Sequence, residues 1–205
     1  MRKAIRFPGK PFRKRYSFLS LKHILGYTLL LLCLSYPYKD SPWINNGSGG
    51  TDWKIGKPQV TLWNASQARS QSELGSFALK LINRDRQING LPILVEDPLL
   101  TESAQRHAED MKARKYYDHV TPEGKTPSDR FIAVGGQGGV GENIMLQSGN
   151  MGTTLTWGLV ETFQKSWMYS DGHRANLLAP QYTRVGYGIV SDPMSGKIYA
   201  VQNFQ

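Results

Sequence analysis

"SWMYSDGHRANLL", residues 166–178, stands where two kinds of pattern meet. Before it, Leu159, Val160, Phe163 and Trp167 recur at spacings of one, three and four, with Met168 extending the stripe. That is helical periodicity with one apolar face. Gly172 reads as the stop of this helix, since glycine adopts the left-handed conformation that ends helices. His173 and Arg174 follow at once. Beyond them the period changes to two: TRVGYGIV (residues 183–190) and IYAVQNF (residues 198–204) read as strands joined by an SDPMSGK turn.

Toward the N-terminus the pattern is helical again. Leu74, Phe77, Ala78, Leu81 and Ile82 mark a helix that starts near Ser72 and stops at Asn89-Gly90. Asp97-Pro98 reads as an N-cap with proline at the first helical position. The stripe that follows is Leu100, Ala104, Ala108 and Met111, and His107 falls on the same face as a hydrogen-bonded, partly buried structural histidine. TPEGKTPSDR (residues 121–130) is turn chemistry leading into a short helix over residues 127–134. The next loop, GGQGGVG (residues 135–141), contains a literal G-x-G-x-x-G. A dinucleotide fingerprint needs a strand before it and a helix after it. Here a helix precedes and a strand, ENIMLQ (residues 142–147), follows, so the stretch reads as a flexible loop beside a cleft. Helices with a few late antiparallel strands make a layered α+β domain over residues 71–205.

The chain has 205 residues and a net charge of +9, but the excess is local. Arg2, Lys3, Arg6, Lys10, Arg13, Lys14, Arg15 and Lys22 all precede the first acidic residue, and the remaining basic residues nearly balance the acidic ones. No basic face is implied for the folded part, which excludes nucleic acid as a partner. The apolar run ILGYTLLLLCLSYPY (residues 24–38) follows the basic head and is interrupted by Gly26, Thr28, Ser35 and Pro37. A positive region before a short apolar core is the layout of an export signal or a retained anchor, so residues 1–38 are expected to contact the membrane. The basic residues would stay cytoplasmic and the remainder would cross. Cys33, the only cysteine, lies in this run, so the rest of the chain has neither disulfides nor cysteine-ligated metal. Residues 39–70, rich in Gly, Ser, Asn, Pro and Gln and punctuated by Trp43, Trp53 and Trp63, read as a flexible linker whose tryptophans dock on the domain or on a membrane interface.

Three polar stations sit at element boundaries: His119 in YYDHVTPEGK, Glu142 in GENI, and His173. Two histidines and a carboxylate, brought together, could bind a divalent metal with an open position. Their spacing in sequence does not show whether they meet.

The ordered blocks H-x-x-P-E-G, GENI, W-x-x-S-x-GHR-x-N-L-L, Y-x-x-VGYG and a terminal YAVQNF resemble the CAP superfamily (cysteine-rich secretory proteins, antigen 5, pathogenesis-related 1), above all its cysteine-free bacterial branch. The resemblance covers about residue 73 to the C-terminus. It implies a three-layer α-β-α sandwich with a central, mostly antiparallel sheet, and a cleft lined by His119, Glu142 and His173. Arg174 is expected to hold the turn through a carboxylate or carbonyls, and Asn176 to bond local backbone. Many relatives carry a second cleft carboxylate soon after the helix tryptophan; here Met168, Tyr169 and Ser170 supply none, and Glu161 does not match the position.

The resemblance therefore implies an extracytoplasmic module that binds a lipid, a peptide or a cell-wall ligand. The alternative is a metal-assisted peptidase or esterase. In it His119 and His173 would hold a weakly bound zinc-like ion, with Glu142 as third ligand or general base. A serine variant would have Ser170 activated by His173.

Overall fold

The computed structural model describes residues 53–205. The export segment, Cys33, Trp43 and residues 39–52 of the expected linker lie outside the described residues. Five helices and four strands follow in the order α1 (Gln71–Ile88), β1 (Val95–Glu96), α2 (Pro98–Arg114), α3 (Pro127–Ala133), β2 (Gly141–Ser148), α4 (Trp157–Tyr169), α5 (Asp171–Leu177), β3 (Arg184–Ser191) and β4 (Lys197–Phe204). The caps follow local chemistry. Ser70 and Glu73 form a reciprocal capping box on α1, and Thr126 and Asp129 form another on α3. The Asp97 carboxylate accepts the amides of Leu99 and Leu100 ahead of Pro98.

The strands form one sheet of order β1-β3-β4-β2. β4 is antiparallel to both β2 and β3, and the two-residue β1 runs parallel to β3. β1 was not anticipated, because two residues carry no alternation. One face of the sheet takes α2, where Ala104, Ala108 and Met111 pack on Ile144, Tyr199 and Val201. Gly186 and Gly188 of β3 permit that contact: a Cβ at either position would enter the backbone of Leu100–Thr101 or Ala104–Gln105. The opposite face takes α1, α4 and α5, with Leu74, Leu81, Phe163 and Trp167 against Val185, Ile189, Ile198 and Phe204. The result is the three-layer α-β-α sandwich. Trp167 is 1% exposed, and its indole N–H donates to the Ile144 carbonyl at 3.1 Å. The indole thereby anchors α4 to β2.

Two stretches differ from the sequence reading. Gly172 does not stop the helix. α4 ends at Tyr169, and Ser170 serves as C-cap of α4 and N-cap of α5, with Gly172 inside the new helix. Extended backbone at Ser170 makes the bend, so no left-handed residue is required. Residues 53–60, within the expected linker, run as a strap over α1 and α4. The Lys54 and Gly56 amides donate to Asn89 and Asp85, and the Gln59 and Val60 amides both donate to Glu161. Trp53 docks on the domain, with the Arg174 guanidinium 4.4 Å over its ring and Tyr169 edge-on, whereas Trp63 is 88% exposed.

Candidate functional site

Glu142 is the second residue of β2, paired with Asn203 of β4, so its side chain points to the α2 face. There it is 7% exposed and takes partners from three segments. Its Oε1 is 2.9 Å from His119 Nδ1, and its Oε2 accepts from Arg130 Nη2 at 2.6 Å. The Asn203 amide, with its nitrogen toward the carboxylate, donates to Oε2 at 3.2 Å. Arg130 comes from α3 and is itself buried, and its Nη1 donates to the carbonyls of His119 and Lys125. It therefore fixes both the carboxylate and the loop that carries His119. Arg130 was not singled out in the sequence, although TPSDR places it one turn into a capped helix.

His119 remains 47% exposed at its side chain. The hydrogen bond from its ring to Glu142 holds its pKa above the ordinary histidine value, outweighing partial burial. His173 shows the opposite shift. It sits on the first turn of α5, with Nδ1 2.8 Å from Ser170 Oγ. Burial lowers its pKa, and the charge of His119 lowers it further. The basicities of the two rings thus shift in opposite directions. Ser170 makes no side-chain cap on α5, its hydroxyl being bonded to His173 instead.

The backbone beneath the rings is held by amides. Asn143 donates to the His173 carbonyl at 3.1 Å, and Asn176 donates to the Glu142 carbonyl and to Asn143 Oδ1. Asn176 thus bonds across 34 residues rather than to its local backbone, because α5 lies against β2 and its amide reaches the strand first. Arg174 does hold the bend, through the Met168 carbonyl and the Asp171 carboxylate. His107 is fully buried, with Nε2 3.0 Å from the Asp118 carbonyl. Desolvation lowers its pKa most, with the Glu142 charge opposing.

Among the described residues no three His, Cys, Asp or Glu side chains stand in an arrangement that could hold a metal ion. Of the ligand set His119, His173 and Glu142, the carboxylate already has both oxygens on nitrogen donors. The donor set therefore fits a four-coordinate divalent ion incompletely, since only the two imidazoles remain for it.

The model of the cysteine-rich secretory protein family, CAP, matches residues 79–204. The chain belongs to that family. Over 145 residues it is 35% identical to the Bacillus subtilis protein YkwD, a match covering 70% of this chain and 52% of that one. It is also 31% identical to an extracellular protein of Bacillus anthracis that contains an SCP domain, with a TM-score of 0.54 over 65% of this chain and 40% of the other. An outer surface protein of Borrelia burgdorferi shares the fold at 17% identity, with a TM-score of 0.53 over 68% of this chain and 98% of that one. This CAP chain thus spans about half the length of YkwD and less of the Bacillus anthracis protein. Among its described residues no helix is long and apolar enough to cross a membrane.

Proposed function

We propose that this CAP domain is an extracytoplasmic ligand-binding module whose ligand, a lipid, peptide or cell-wall fragment, engages His119 and His173. The observation that supports this reading best is the commitment of Glu142. A general base must reach the proton it takes, and the Glu142 side chain is 1% exposed, behind His119, Arg130 and Asn203. The carboxylate then acts as a positioning group. It favours the protonated form of His119, while burial favours the neutral form of His173, a pairing that suits a ligand carrying both an acceptor and a donor.

The hydrolase reading draws on one further contact, the 2.8 Å bond between Ser170 and His173. That distance suits a nucleophile and its base. The neighbouring charge acting on His173 is that of His119, which disfavours the imidazolium such a base must form.

Turnover separates the two. The full chain is assayed on casein-derived peptides and p-nitrophenyl esters, beside Glu142→Gln and Ser170→Ala. A binding module gives no turnover in any form. A rate that collapses in either variant overturns the proposal. Zinc is a second probe: with two imidazole ligands it binds weakly, and His119→Ala abolishes the heat of binding. Export is tested by fusing residues 1–60 to a reporter active only outside the cytoplasm, where a silent reporter contradicts the assigned location.

A further inference from the structure

Three segments form the end of the domain opposite Glu142. Residues 61–68 precede α1, residues 149–156 join β2 to α4, and residues 192–196 turn between β3 and β4. Backbone bonds stitch them together. Gly152 donates to the Pro193 carbonyl at 3.1 Å and Gly149 to that of Gly196 at 3.0 Å, while Gly158 donates to Ala65 and Arg69 to Leu155. Large apolar side chains stand out of all three: Leu62 is 73% exposed, Trp63 88%, Met151 76% and Met194 78%. Glu142 is the second residue of β2 and Ser148, paired with Lys197, the last. About 20 Å of strand therefore separates the carboxylate from this end.

Apolar residues exposed singly mean little, but a group of them marks an interaction surface. The composition around this group selects the partner. No Asp, Glu, Lys or Arg occurs from 58 to 68 or from 143 to 160, in a chain that is 20% charged. Asp192, which opens the third segment, accepts from the Met194 amide and the Ser195 hydroxyl within its own turn. The protruding side chains can thus enter an apolar medium without carrying a charge into it, which is the costly step in membrane burial. Tryptophan, an apolar ring with one N–H, favours the boundary between lipid and water. Separate side chains on loop tips suit a fluid surface, whereas a protein partner needs a continuous complementary face of about 800 Å². The chain itself supplies the means of reaching lipid. Its apolar run ends at Tyr38, and the 14 residues from 39 to 52 span at most about 50 Å. That reach exceeds the length of α1, about 27 Å, along which the strap runs back toward this end.

We propose that the end bearing Leu62, Trp63, Met151 and Met194 inserts into a lipid surface and holds the domain with His119 and His173 turned away from the membrane. The proposal rests on the reading that residues 1–38 bring the chain to a membrane, and not on the ligand or chemistry of the histidine site.

Site-specific fluorescence on the full chain tests it. In a Cys33→Ser background, an NBD label is placed at Met151→Cys, at Met194→Cys or at Gln137→Cys, the last being an exposed position in the loop before β2, at the other end of that strand. The vesicles are three parts phosphatidylethanolamine to one part phosphatidylglycerol, with and without nitroxide-bearing acyl chains. On vesicle addition, emission should rise at least about twofold at 151 and 194 and be quenched by nitroxide, with no change at 137. Leu62→Ser and Trp63→Ser together should reduce the rise at 151 by about half or more. A chain that floats with the vesicles while 151 and 194 behave like 137 overturns the proposal and leaves the membrane reading standing. A rise that depends on protein concentration and resists nitroxide assigns this end to a second copy of the chain and overturns the lipid assignment. Failure to float overturns the membrane reading and the proposal with it.

Discussion

Two buried carboxylates lie on opposite faces of the sheet, and they differ in one respect. Asp85, on α1, is fully buried and accepts from the Gly56 amide, from Gln164 Nε2 at 2.8 Å and from Arg84 through two bonds. None of these donors titrates near neutral pH. Gln164 passes the network to Gln202 and Asn143, so the interior of the α1–α4 layer is a closed chain of fixed dipoles. Glu142, on the α2 face, accepts from His119, Arg130 and Asn203, and one of these donors is the half-exposed ring of His119. A satisfied carboxylate is structural when all its partners are fixed. It becomes a means of tuning a site when one partner both titrates and faces solvent.

Removing Asp85 should have the largest effect. Asp85→Ala leaves Arg84 short of a partner and releases the strap at Gly56, and loss of one member of a buried pair costs about 3–5 kcal/mol. Urea unfolding measures it, and a loss below about 1 kcal/mol would erase the distinction between the two carboxylates. Glu142→Gln should cost less, about 1.5–3 kcal/mol, the range for hydrogen bonds to a charged group. It should also return His119 toward ordinary basicity, since that bond is the leading cause of its shift. His119→Ala removes an exposed ring and should cost under about 1 kcal/mol.

The smallest expected effect is in the pH profile. His119 has a raised folded pKa, so its contribution is complete below the unfolded value of about 6.5 and fades as pH rises through the folded value. His107 and His173 are lowered, so their unfolded forms take up protons first and stability falls as pH drops from about 6.5 toward their folded values. Melting temperatures across pH should show the gap between wild type and His119→Ala widest below pH 6.5 and closing above it. A gap independent of pH would mean that Glu142 does not tune the ring.

Most of the architecture was legible because it rests on local signals. The stripes of α1, α2 and α4, the Asp97-Pro98 cap and the last two strands are each written within about fifteen residues. The parts that were missed depend on partners far along the chain. Arg130 lies 12 residues before Glu142 and meets it through folding. Asn176 reaches 34 residues away, and Glu161, which has no place in the family site, anchors the strap 101 and 102 residues earlier. The strap reads as linker because Trp53, Ile55 and Val60, which pack on the core, follow no helical or strand period, and its hydrogen bonds are made by its backbone, which carries no sequence signal. Gly172 misled for the opposite reason: glycine commonly ends helices, but here it sits in the first turn of the next one.

Glu142 raises the basicity of His119, while burial lowers that of His173. Observing the ring protons of the two histidines by NMR from pH 4 to 9, in wild type and in Glu142→Gln, tests it directly. The account predicts that His119 titrates above about 6.5 and His173 below it, and that the variant moves His119 downward. Coincident titrations, an inverted order, or a His119 midpoint unmoved by Glu142→Gln would contradict it.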